Sequence, residues 1–217
     1  MIMRQTPQQS YAKIRSILFA GATIISGFTL TPCAYADDAT VLKLGIVSFL
    51  SGPAAGPFGV PAANAAKMMV DALNAGHVPS PYEAIGIAGA QVEAIMVDEA
   101  GGVTKQVIEF RNMIQRRGVD VVIGYISSGS CLGIAPVAEE MKVLTIFHTC
   151  GTPRIFEEGN YRYVFRTASH SAMDGIGAAR YLIDRFPDLK TYAGINQNYA
   201  WGHDSWRDFE GALRILK

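Results

Sequence analysis

A chain of 217 residues is long for one domain and short for two, and its 19 Lys and Arg side chains are balanced by 19 Asp and Glu. No basic patch is present to serve a nucleic acid. Beyond the N-terminus no apolar stretch approaches the roughly 20 residues that a membrane-spanning helix needs.

Arg4, Lys13 and Arg15 precede an apolar run over 17–30, and Ala34, Tyr35 and Ala36 form an A-x-A cleavage site. Residues 1–36 therefore read as a secretory signal peptide cut before Asp37. The alternative, a membrane anchor, is disfavoured because the run is short and contains Gly21 and Gly27. Cys33 follows Pro32, where a lipid-attachment site wants a small residue, and leaves with the signal. Cleavage leaves 217 − 36 = 181 residues and removes three basic side chains and no acid, so the exported part carries 16 − 19 = −3. Its two cysteines, Cys131 and Cys150, are an even pair in an oxidising compartment, which makes a disulfide the expectation.

Alternation followed by an apolar run predicts a first strand over 41–48, and the Ser, Gly, Pro and Ala of 50–57 exclude regular structure. Phe58, Ala62, Ala65, Met69 and Leu73 recur at helical spacing, predicting a helix over 59–75 with Gly76 as its cap. A glycine- and proline-bearing connection over 77–90 leads to a strand over 91–97 and a turn over 98–102. Val107, Phe110 and Ile114 mark the inner face of a helix over 104–116, which ends in Arg116 and Arg117, charges suited to a helix C-terminus.

Val119, Val121, Val122 and Ile123, closed by Gly124, have the unbroken apolar character of a strand buried on both faces. A loop rich in hydroxyls follows, from Tyr125 through Ser127, Ser128 and Ser130 to Cys131, and opens a third helix. The next strand, 143–147, ends in the polar turn His148, Thr149, Cys150 and Gly151. After an irregular stretch to 160 and an extended one over 161–167, Ile176, Ala179, Ile183 and Phe186 define a helix over 171–186. Pro187 ends it, a strand is expected over 191–195, and a loop over 196–202 carries Tyr199 and Trp201. A last helix starts near His203 and is still running, uncapped, at Lys217. The alternation of strand and helix predicts an α/β fold, a doubly wound parallel sheet with flanking helices. The serine loop and the cysteine turn both fall on its carboxyl edge, where such folds bind ligands.

Four chemistries compete for that edge. A nucleophile elbow needs G-x-S-x-G, and Ile126 stands two before Ser128, so a secreted hydrolase lacks its motif. A metal could take Cys131, Cys150 and His148 as two thiolates and an imidazole, against the simpler pairing of the two sulfurs. A dinucleotide needs G-x-G-x-x-G, and Gly52, Gly56 and Gly59 are too widely spaced. The fourth is binding of a small carboxylate or zwitterion. Ser128, Ser130 and the N–H groups after Gly129 open a helix, Thr149 and the Cys150 and Gly151 backbone supply a second set of polar groups, and Tyr125, Phe58, Tyr199 and Trp201 could wall the apolar remainder. Each of these residues has a plainer reading, the serines as caps and the aromatics as core.

In order along the chain, Leu44-Gly45-Ile46, Leu50-Ser51-Gly52-Pro53, Phe58-Gly59, Asp98-Glu99-Ala100, Gly151-Thr152-Pro153, Phe165-Arg166-Thr167 and Tyr199-Ala200-Trp201-Gly202 resemble the leucine/isoleucine/valine-type periplasmic binding proteins of ABC transporters. The resemblance implies two α/β lobes closing on a ligand, with residues 37–168 most of the first lobe and 169–217 the start of the second. It implies that Ser128 holds a ligand carboxylate with Ser127 beside it, that Thr149 and Gly151 contact carboxylate and ammonium, and that Trp201 closes over the ligand. It also implies a periplasmic monomer without cofactor or catalytic activity, partnered by a membrane permease.

Two departures matter. The cysteine pair of the aliphatic amino-acid binders falls here on Gly101 and Ser127, so Cys131 with Cys150 would be a replacement, and Gly151 stands where a threonine is common. These changes weigh against an aliphatic amino acid and admit an aromatic or other small carboxylate. The chain is also about half the family's usual length, which implies a truncated reading frame without its return segments and makes a non-functional fragment the alternative reading.

Overall fold

Residues two apart in each strand serve the same face of one sheet, and the two faces are built from different sets. In the computed structural model, which describes residues 41–217, β1 (Val41–Ser48) lies between β2 (Gln91–Asp98) and β3 (Val121–Gly124). With β4 (Leu144–Phe147) and β5 (Val164–Arg166) the order is β2-β1-β3-β4-β5, every pairing parallel. The signal-peptide segment, 1–36, lies outside the described residues.

On one face Ile46 and Val92 pack against Val70 of α1 (Val60–Asn74). On the other, Val47, Val97 and Val122 meet Phe110 and Met113 of α2 (Gly102–Arg117) and Ile134 and Ala138 of α3 (Ser128–Met141). Phe110, Met113 and Ile134 are fully buried. Each contributes about 1.5–3 kcal/mol of transfer free energy, so the main core lies between the sheet and this pair of helices. Gly45 makes the close packing possible, because a Cβ there would stand 3.0 Å from a Val119 methyl and 3.2 Å from the Met113 sulfur.

Beyond the sheet, α5 (Ser171–Arg185) and α6 (Ala200–Leu216) pack through Ala179, Ala212 and Leu213, and α6 also touches α3. Gly175 allows the approach, since a Cβ on it would lie 2.9 Å from the Phe209 nitrogen.

The predicted strand over 191–195 is absent. A strand needs a hydrogen-bonding neighbour, and none of the described residues pairs with this segment, leaving Tyr192 and Ile195 exposed. Two stretches read as irregular contain helical turns: a π-helical one at Ala55–Gly59, and α4 (Arg154–Glu157), whose Arg154 pairs with Glu158. The last helix begins at Ala200 rather than His203.

Candidate functional site

The strand register puts the ends of the strands at one edge: Ser48 opposite Asp98, and Phe147 opposite both Gly124 and Arg166. Asp98 folds the loop after β1 onto this edge. Its carboxylate accepts the Leu50 and Ala100 N–H groups at 2.9 and 3.0 Å and the Ser51 hydroxyl at 2.5 Å. Burial alone would raise its pKa, but these hydrogen bonds outweigh that and hold it at about 2. The Ser48 hydroxyl donates to the Gly59 carbonyl at 3.0 Å, bringing the π-helical turn and Phe58 over the end of β1.

The serine loop starts with two unusual backbones. Gly124 has φ 146°, and a Cβ on it would collide with the Val47 backbone. Tyr125 has φ 64°, left-handed for a bulky residue, and its N–H donates to the Val47 carbonyl at 3.0 Å. This bend turns the Tyr125 ring inward, where it is fully buried and meets Phe147 edge-on at 5.9 Å. Tyr125, expected as a ligand wall, is instead core beneath the loop. Its phenol is pushed up by burial and by the charges of Glu99 and Glu109.

Glu99 holds the next two residues. Its buried carboxylate accepts the Ile126 and Ser127 N–H groups, both at 2.8 Å. Burial raises its pKa, and the two backbone donors work against that rise. The Ser127 hydroxyl caps α3 by accepting from the Ser130 N–H at 3.4 Å. Among the described residues the Ser128 and Gly129 N–H groups, at the start of α3, have no acceptor. Ser128 is buried, and its hydroxyl oxygen accepts the Thr152 N–H at 3.2 Å.

That bond joins the serine loop to the second polar turn, and the disulfide joins them again. Cys131 and Cys150 are bonded, their Cα atoms 6.4 Å apart, so neither sulfur is a free thiolate for a metal. No group of three metal-ligating side chains occurs among the described residues. Thr149 is exposed and contacts His148, and His203 pairs with Asn198. Gly151 lies beneath the Trp201 indole, where a Cβ would overlap Cδ1 and Nε1. Thr152 is a hub without a signal in the sequence. Its hydroxyl donates to the buried Asp204 carboxylate at 2.5 Å, and its carbonyl accepts from Arg166 Nη1 at 2.6 Å.

Between the loop after β1, the serine loop and the segment before α6 lies a cavity of about 350 Å³. Phe58, Ser127 and Tyr199 line it, together with Phe49, Pro53, Ala54, Ile126 and Gln197, to which no sequence motif pointed. The Trp201 ring stands 6.5 Å from Tyr199, and Ser128, Thr149, Gly151 and Trp201 are outside the lining. A larger cavity, about 540 Å³, lies by the ends of α5 and α6 and contains none of the expected site residues. The smaller one has the serine loop, and a helix N-terminus with unused donors, beside it.

The architecture is that of an α/β unit, a parallel sheet with an aromatic-walled cavity at its carboxyl edge. The chain belongs to the periplasmic binding protein family, whose profile it matches over residues 41–215. It is 29% identical over 187 residues to the leucine-, isoleucine-, valine-, threonine- and alanine-binding protein of Pseudomonas aeruginosa, covering 86% of this chain and 46% of that one. With the leucine-specific-binding protein of Salmonella typhimurium it shares 28% over 195 residues, covering 90% and 48%. The fold is shared with a periplasmic binding protein from Burkholderia mallei, with TM-score 0.70, 20% identity and coverage of 82% and 44%. It is also shared with a Rhodopseudomonas palustris solute-binding protein in complex with benzoate, with TM-score 0.68, 22% identity and coverage of 81% and 45%. The chain thus spans less than half the length of these relatives. No described helix is long and apolar enough to cross a membrane.

Proposed function

We propose that this is an exported solute-binding protein that captures a small amino acid or related carboxylate for an ABC importer, without catalysis. The observation that carries the proposal is the unused N-terminus of α3 at an aromatic-walled cavity on the sheet's carboxyl edge. In this reading residues 1–36 are a signal peptide, the product is a periplasmic monomer, and a membrane permease receives the ligand. Residues 37–168 form most of a first lobe and 169–217 begin a second, so that Trp201 and Tyr199 belong to the closing side. Ser128 anchors the carboxylate, assisted by the backbone of Thr149 and Gly151.

The test is calorimetry of the purified chain with small carboxylates, repeated for Ser128→Ala. Affinity at least tenfold lower in the variant supports the site, and unchanged affinity refutes it. A second reading, a non-functional piece of such a protein, draws on the chain's coverage of only 46% and 48% of two relatives. Saturable binding by the purified chain would remove it.

A further inference from the structure

We propose that Glu99 is a pH-sensitive latch on the cavity: ionised, it holds the Ile126–Ser127 wall in place, and protonated, it lets that wall go. What the latch does for a ligand rests on the binding reading above, whereas the latch itself consists of contacts within the described residues.

Glu99 follows β2 directly, and its N–H donates to the Ser48 carbonyl at 2.9 Å, so its backbone is fixed to the end of β1. The residue is 1% exposed. One carboxylate oxygen accepts the Ile126 N–H and the other the Ser127 N–H, both at 2.8 Å. Ile126 and Ser127 in turn line the cavity with Phe58 and Tyr199. A carboxylic acid cannot serve two donors as a carboxylate does. Its protonated oxygen is a poor acceptor, and the bond to the other oxygen loses the charge assistance that roughly doubles a hydrogen bond's strength. Protonating Glu99 therefore weakens both holds on the wall at once.

Among the described residues no Lys, Arg or His forms an ion pair with Glu99, and a residue this buried is closed to groups beyond them. Burial pushes its carboxyl above the ordinary 4.5, with a smaller push from the charge of Asp98, against the pull of the Ile126 and Ser127 N–H groups and the Ser130 hydroxyl. Tyr125 and Tyr199 bring phenols, each raised by burial first and then by the Glu99 charge, and Glu109 of α2 acts on the Tyr125 phenol. A raised pKa means that the folded chain takes up this proton more readily than the unfolded one, so its uptake loosens the wall without destabilising the fold. Asp98, held at about 2, stays charged in the range where Glu99 titrates. His148, in the turn after β4, has its imidazole pushed down by burial and its N–H on the Gly124 carbonyl at 3.1 Å, so its titration must be told apart from that of Glu99.

Amide NMR of the isotope-labelled, purified chain from about pH 7 to about pH 4 reads the latch without any ligand. The Ile126 and Ser127 signals are expected to shift together with one midpoint above 4.5, and their exchange protection to fall at least about tenfold across it. Protection of the Thr145 N–H, which donates to the Tyr163 carbonyl at 2.8 Å, should stay within about twofold. Glu99→Gln should abolish the step and leave at least one of the two amides poorly protected at every pH, and His148→Gln should keep the step. Flat signals in the native chain, a step that survives Glu99→Gln, or one that disappears in His148→Gln overturns the latch. Failure of the chain to bind any small carboxylate would remove the binding reading while leaving these amide signals in place, so the two fail separately.

Discussion

Replacing Thr152 by valine keeps the shape of the side chain and removes its hydroxyl, so it isolates the bond to Asp204. The carboxylate of Asp204 is 4% exposed and receives that hydroxyl at 2.5 Å. The Arg207 Nη1 is 3.9 Å from that carboxylate, too far for a hydrogen bond. Hydrogen bonds to charged groups are worth about 1.5–3 kcal/mol net, and stranding a buried carboxylate places the loss toward the upper end. The Thr152 hydroxyl also accepts the Arg154 N–H at 3.2 Å, at the start of the short α4, which adds a smaller share. The expected loss is about 2–3 kcal/mol. For a chain of this size that is a fall in melting temperature of about 5–10 °C. Urea unfolding of Thr152→Val, Asp204→Ala and the double variant supplies the check. Removing both partners should cost less than the sum of the single losses, with a coupling of at least about 1.5 kcal/mol. Thr152→Ser should retain most of the coupling. Additivity within about 0.5 kcal/mol would show that the hydroxyl does not hold α6 to the turn, and the reasoning would fail.

Opening the Cys131–Cys150 bridge, by reductant or by the double alanine variant, releases a loop with a sequence separation of 19 and is expected to cost about 3 kcal/mol. Matching urea midpoints with and without dithiothreitol would contradict this. The Asp98 carboxyl, at about 2 against an ordinary 3.8, stabilises the fold fully above pH 3.8, and that contribution is lost as pH falls through about 2. Asp98→Asn should therefore lower stability at neutral pH and flatten the melting profile across that acid window. A profile of unchanged slope would place the acid sensitivity elsewhere.

The sheet and its helices were legible because local pattern carries them. The run of alternating and apolar residues over 41–48 matches β1 residue for residue, and Phe110 at helical spacing is buried as its period requires. Where pattern depends on a neighbour, legibility stops. Residues 191–195 read as a strand but have no pairing partner among the described residues, and Tyr125 reads as a pocket wall until its positive φ turns it into the core.

The site was legible only where one stretch carries its own chemistry. Ser127 caps α3 through a bond of three residues' separation, which spacing announces. Glu99 reaches the serine loop across 27 and 28 residues, and Asp204 reaches Thr152 across 52. No local rule selects those partners from among 19 acids. An acid engaged by backbone N–H groups, as Glu99 is, holds its loop still. The stillness of the serine loop therefore originates in a contact that sequence separation hides, and Glu99→Ala is expected to speed amide exchange at Ile126 and Ser127.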